Sequence, residues 1–213
     1  MTRTTILLQE GDYGQVAFDI AERGYSIIDD FLSSEEVTSI LKTIRQEELA
    51  GTFNPAGIGQ GNNLQQNQGI RRDYIHWIDH EAPPASCIPY FERLQTLIRY
   101  LNRACYLGIR DIEMHFAVYQ PGGFYKRHLD VFQRARSRKL SAICYLNAEW
   151  TPADGGALKL YLPNSEGEEV VTVDPIAGRL MLFESHTIEH EVEMAYHERC
   201  SITGWLKDEA QPF

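Results

Sequence analysis

In "PGGFYKRHLD", residues 121–130, a histidine and an aspartate stand two apart just after a Pro-Gly-Gly turn. On a strand, residues i and i+2 project to the same side. His128 and Asp130 on such a strand present an imidazole and a carboxylate to a single ion. A third ligand must come from elsewhere in the chain. His76 and His80 fall in the front region, His115 on the preceding strand and His197 in the "AYHER" turn, which sets them aside. "FESHTIEHEVEM" carries the remaining two, His186 and His190. Their spacing of four would share a helix face, but no helical apolar period surrounds them, and "IEHEVEM" alternates like a strand. His190 opens that strand and is the preferred ligand, with His186 in the loop before it. Two histidines and one carboxylate leave coordination positions open and suit non-haem Fe(II). A structural zinc site would want four closed ligands, usually with sulfur.

Arg199 follows nine residues after His190, at the head of "RCSITGWL". Period two puts Arg199, Ser201, Thr203 and Trp205 on one face and Cys200, Ile202 and Leu206 on the other. The strand 190–194 is expected to turn at "AYHE" and pair with this one, aiming Arg199 into the cavity of His190. A buried guanidinium needs an anionic partner, because an unpaired buried charge is very costly. Its planar fork suits a carboxylate held by two bonds. For a lone arginine, one of the 30 acidic residues would serve. Beside a site of two histidines and a carboxylate, a dicarboxylate cosubstrate is the better explanation.

The elements that must hold these groups fall into a helical front and a strand-rich back. Tyr13, Val16, Ala17, Ile20 and Ala21 recur at helix spacing, Gly24 stops them, and "YSIID" reads as a short strand. Ser33 and Glu36 form a capping box ahead of Val37, Ile40, Leu41 and Ile44. Residues 51–69 are rich in glycine and amides and read as a mobile loop, either a lid or an idle insertion. "RRDYIHWID" resumes as a strand, and Ser86 is expected to open a helix to about Leu107, with Phe91, Leu94, Leu97, Ile98 and Leu101 inward. From residue 111 the period becomes two. Strands are expected at 112–120, 124–130, 140–147, 157–162, 169–173, 179–184, 190–194 and 199–206, parted by "PGG", "DGG", "PNSEGE" and "DPIAG". Eight strands without an intervening helix point to a mostly β fold of the jelly-roll class, the earlier helices packing on its outer face. The 213 residues suit one domain, with a support region 1–110 and a core 111–207.

Apolar residues make up 43% of the chain and charged ones 23%, enough to bury a sizeable core. A net charge of -10 argues against nucleic acid, which needs clustered Lys and Arg. "RARSRK", 134–139, is the basic exception: a solvated loop, or a docking site for an acidic or polar protein segment. Cys87, Cys105, Cys144 and Cys200 form no C-x-x-C pair and read as free thiols in a reducing cytoplasm. No stretch approaches the roughly 20 apolar residues of a membrane span, and the first residues show no signal peptide.

The runs "YQPGGFYKRHLD", "SAICYLNAEWTPADGGALKLY", "RLMLFESHTIEHEV" and "YHERCSITGWL" carry H-x-D, a distal His and the later Arg in order. Residues 115–206 thereby resemble the catalytic domain of 2-oxoglutarate- and Fe(II)-dependent prolyl hydroxylases, nearest the oxygen-sensing type that modifies hypoxia-inducible factor. "GIRRDYIHWID" extends the likeness into the front region. The resemblance implies a double-stranded β-helix core. It implies Fe(II) on His128, Asp130 and His190, and 2-oxoglutarate gripped at its far carboxylate by Arg199 and the Tyr145 hydroxyl. Tyr119, Tyr125, Leu158, Thr203 and Trp205 match pocket positions, although a Tyr or Trp on a sandwich strand also serves as plain core. Arg71 and Asp73 match a pair near the substrate entrance, with Tyr125, Arg138 and Trp205 as further substrate contacts. The implied reaction uses O2, with ascorbate as an accessory, and hydroxylates a prolyl C4 while releasing succinate and CO2. The implied partner is a protein, with elongation factor Tu as the bacterial candidate, and the enzyme is expected to be a cytoplasmic monomer. Two other readings stay open: the same chemistry on a free amino acid or small metabolite, and a jelly-roll binding module without catalysis.

Overall fold

The computed structural model describes residues 13–57, 67–130, 137–165 and 167–209. Part of the expected loop (58–66) and of the basic tract (134–136) lies outside the described residues.

The front of the chain supplies α1 (Tyr13–Arg23), β1 (Tyr25–Ile28), α2 (Ser34–Leu49), β2 (Asn54–Pro55), β3 (Tyr74–Ile78) and α3 (Ile88–Cys105). The capping box of α2 forms: Ser33 Oγ accepts from Glu36 N at 3.3 Å, and Ser33 N donates to Glu36 Oε2 at 2.8 Å. The same Glu36 carboxylate takes both arms of Arg93 at 2.7 and 2.8 Å, which ties α3 to α2. Ser86 does not open α3. A 3-10 turn, Ala85–Cys87, comes first, and a proline in the first turn of α3 stands where no N–H is needed. Ser86 Oγ instead meets Thr43 Oγ1 on α2 at 2.7 Å. Nor is the start of the expected loop featureless. Asn54–Pro55 pairs with β3, and Ala56 N donates to Asp73 O at 2.9 Å.

The back of the chain supplies β4 (Asp111–Tyr119), β5 (Tyr125–His128), β6 (Arg138–Tyr145), β7 (Leu158–Asn164), β8 (Gly167–Val173), β9 (Leu180–Glu184), β10 (Glu189–Val192) and β11 (Arg199–Lys207). They form two antiparallel sheets, β1-β9-β6-β11-β4-β3-β2 and β5-β10-β7-β8. This is the mostly β jelly-roll arrangement expected from the alternating back half. One pairing differs. β10 does not pair with β11; it lies between β5 and β7 in the small sheet, while β11 lies between β4 and β6 in the large one. β10 and β11 belong to different sheets, so the turn 193–198 crosses between layers instead of closing a hairpin.

Each face of the large sheet has its own core. Cys200, Ile202 and Leu206 face outward and join Val37, Ile40, Ile44, Leu94, Leu97 and Leu101 of the helices. Ala117, Tyr119, Ile143 and Tyr145 face inward and meet Leu158, Leu160 and Val192 of the small sheet. Each Val, Leu or Ile among them contributes about 1.5–3 kcal/mol on full burial, so the helices brace one face while the other is left to build the site. All four cysteines are free thiols, Cys105 partly exposed and the others buried. Among the described residues no helix is long and apolar enough to cross a membrane.

Candidate active site

His128 is the last residue of β5, and Asp130 lies just beyond the strand in a bend. His190 on β10 stands directly opposite His128 in the antiparallel register. That register puts the two imidazole centroids 4.2 Å apart. Asp130 closes the group, with Oδ1 3.5 Å from His128 Nε2 and Oδ2 3.6 Å from His190 Nε2. One ligand atom from each residue lies within 4.8 Å of the others, which is the geometry of a cation site. His186 is exposed and takes no part.

The surroundings set the form of each ligand. His128 Nδ1 lies 2.7 Å from Lys126 O, and His190 Nδ1 3.3 Å from Ile188 O. A carbonyl only accepts, so Nδ1 carries the proton in both rings and Nε2 keeps its lone pair toward the centre. His128 Nε2 is buried with no hydrogen-bond partner. Burial pushes the His190 pKa down to about 4, so the ring is neutral at physiological pH. Burial alone would raise the Asp130 pKa, but the two imidazoles and Ser141 outweigh it and hold the carboxyl well below the usual range. The donor set is two imidazoles and one carboxylate, which fits a ferrous ion.

Arg199 is 3% exposed and has no carboxylate partner among the described residues. Its Nη2 and the Tyr145 hydroxyl are both buried without a hydrogen-bond partner. The rings of Tyr119 and Tyr145 stand 4.9 and 5.0 Å from its guanidinium carbon. Burial pushes the Tyr145 pKa up to about 12, which leaves its hydroxyl a donor. An unpaired guanidinium edge beside an unpaired hydroxyl is a cradle for a carboxylate, and the far acid of 2-oxoglutarate fits it.

A cavity of about 820 Å³ joins these two ends. Tyr119, Thr203 and Trp205 line it, as do the substrate-side candidates Tyr125, Arg71, Asp73 and Arg138. Arg71 grips Asp73 with two bonds of 2.8 and 2.6 Å and covers the Tyr125 ring at 4.2 Å. Tyr125 stacks on His128, centroids 3.5 Å apart. Arg138 lies 3.4 Å over the Trp205 ring, donates to Asp130 O at 2.9 Å and reaches Glu113 Oε2 at 3.2 Å. Leu158 is fully buried in the core between the sheets, behind the cavity wall and not on it.

Sequence reasoning missed His115. It lines the cavity beside Trp77 and Trp205, 3% exposed, with Nδ1 unpartnered. Burial, and then the Arg71 guanidinium, push its pKa down to about 3. Its period-two phase on β4, shared with Ala117 and Tyr119, is the signal that could have found it. Glu113, two residues earlier on the same face, lines the cavity as well. His76 also reaches the lining, whereas His80 pairs with Asp111 at 3.6 Å and His197 with Asp154 at 3.5 Å.

Residues 114–207 match the family model of the 2OG-Fe(II) oxygenase superfamily, and the chain belongs to that family. Within it the similarity is to prolyl hydroxylases. A Pseudomonas putida prolyl-4-hydroxylase is 36% identical, with 93% of this chain and 100% of that one aligned at a TM-score of 0.82. A Trichoplax adhaerens prolyl hydroxylase, solved with a fragment of the hypoxia inducible factor oxygen degradation domain, is 31% identical over 93% and 90% of the two chains, at 0.78. The human Egl nine homolog 1 is 30% identical over 88% of this chain and 44% of that protein. The chain thus spans less than half the length of that curated relative.

Proposed function

We propose that this protein hydroxylates C4 of a prolyl residue in a protein substrate, with elongation factor Tu as the candidate. The observation that carries the reading is a three-ligand cation site and Arg199 lining one cavity, with unpaired buried polar atoms on Arg199 and on Tyr145 beside it. The peptide-bound Trichoplax relative supports a protein over a free metabolite.

His128, Asp130 and His190 would hold Fe(II), which, with O2 and 2-oxoglutarate, supplies the oxidising chemistry that yields succinate and CO2. Lys126 O and Ile188 O orient the two imidazoles, and Ser141 orients the carboxylate. Arg199 and Tyr145 bind and orient the far carboxylate of the cosubstrate. Trp205, Tyr125 and the Arg71–Asp73 pair wall the reacting end and exclude water from it. Arg138, which lies over Trp205 and donates to Asp130 O, is a further candidate substrate contact.

The test is turnover with Fe(II), 2-oxoglutarate and candidate proline-bearing proteins, read by succinate release and by mass spectrometry. One added oxygen on one proline, absent in Asp130→Ala, is the expected result. Oxygen gained only by free proline or another metabolite would replace the protein substrate with a small one. Protein that binds neither iron nor 2-oxoglutarate would leave a jelly roll without chemistry.

A further inference from the structure

Arg199 is anchored by a backbone carbonyl and not by an acid. Its Nε donates to Gly156 O at 2.8 Å, while Nη2 is left unpaired. Gly156, in the "DGG" turn, has φ +72°, a left-handed conformation that costs other residues about 1 kcal/mol or more. A Cβ there would stand 2.9 Å from Arg199 Cδ and 3.3 Å from Ala195 Cβ. The carbonyl is itself held in place. Gly156 N donates to Met194 O at 3.0 Å, and Trp150 Nε1 donates to Gly155 O at 2.9 Å.

A guanidinium is planar, so committing Nε to one carbonyl sets the direction of its free edge. The cation ligands lie in β5, β10 and the bend after β5, on the small sheet. Arg199 starts β11 on the large sheet. At one end the two imidazoles rest on Lys126 O and Ile188 O, and at the other Arg199 rests on Gly156 O, so backbone carbonyls orient groups at both ends of the cosubstrate space. We infer that Gly156 is the positioning residue that sets, through Arg199, the length of keto diacid this site accepts. This rests on the proposed role of Arg199 as the carboxylate anchor.

The test is calorimetric titration of 2-oxoglutarate and of the six-carbon 2-oxoadipate into Mn(II)-loaded protein. The parent should favour the five-carbon acid by about 10-fold or more, the scale that one methylene gives. Gly156→Ala should weaken 2-oxoglutarate about 10-fold and narrow that preference by a similar factor, with the KM for the peptide unchanged. A merely structural loss would weaken both acids equally. A folded Gly156→Ala that keeps the parent preference overturns the inference, as does a parent that binds both acids alike. Should Gly156→Ala fail to fold, Arg199→Lys carries the same test. Lysine has no Nε–H to lodge on the carbonyl, so the preference must narrow there too, and an unchanged preference overturns the inference. The reaction proposed above is judged separately, by hydroxylation of the peptide. Length preference in binding without hydroxylation would remove that reaction and leave the role of Gly156 standing.

Discussion

Ser141 Oγ lies 2.6 Å from Asp130 Oδ2, and the same hydroxyl is 2.9 Å from Ser185 Oγ. An ionised carboxylate only accepts, so Ser141 gives its proton to Asp130, and Ser185 gives its own to Ser141. The aspartate lies past the end of its strand, and this relay replaces the ladder that would otherwise hold it. Removing it in Ser141→Ala should lower metal affinity by about 10- to 100-fold, the cost usual for partners behind a ligand. Iron or zinc titration of the folded variant checks this, and unchanged affinity would deny Ser141 the role.

Tyr145 offers one buried hydroxyl without a hydrogen-bond partner, its ring beside Arg199. Tyr145→Phe removes only that oxygen and leaves the ring packed against Arg199. A hydrogen bond to a charged group is worth about 1.5–3 kcal/mol, so the KM for 2-oxoglutarate should rise at least about 10-fold. Steady-state kinetics should show the KM for the peptide unmoved.

Asp73 is 3% exposed and is gripped by Arg71. Arg71→Ala strands a buried carboxylate and should destabilise the fold by about 3 kcal/mol or more. Arg71→Met with Asp73→Leu leaves no stranded charge and should recover much of that loss. Denaturant unfolding of the three proteins decides it; a double variant as weak as Arg71→Ala would assign the loss to packing.

Acid should weaken the metal-free protein through its buried imidazoles. His115 and His190 are pushed down to about 3 and about 4, mainly by burial, against roughly 6.5 when unfolded. Below the unfolded value the unfolded chain binds more protons, so stability is present above about 6.5 and is lost as pH falls toward the folded values. By pH 5 each ring should cost about 2 kcal/mol. His115→Leu should therefore lose about 2 kcal/mol less than the parent between pH 7 and pH 5 in denaturant titrations. Equal losses would mean that His115 is not held neutral.

The sequence by itself determined the chemistry on offer and the face on which each group stands. Period two put Arg199 on the face of Ser201, Thr203 and Trp205, and alternation in "IEHEVEM" favoured His190 over the exposed His186. Those readings are local, because pleat and period are properties of neighbouring residues. Only the tertiary structure decided which strands meet. β10 faces β5 in the small sheet and not β11, which sets His190 opposite His128 and leaves Arg199 to approach from the other layer. The same folding brought His115 to the cavity and seated Arg199 on Gly156. Strand pairing between distant segments is chosen by burying both faces of the large sheet at once, under the helices and against the small sheet. That choice is a property of the whole packed chain, and no window of the sequence contains it.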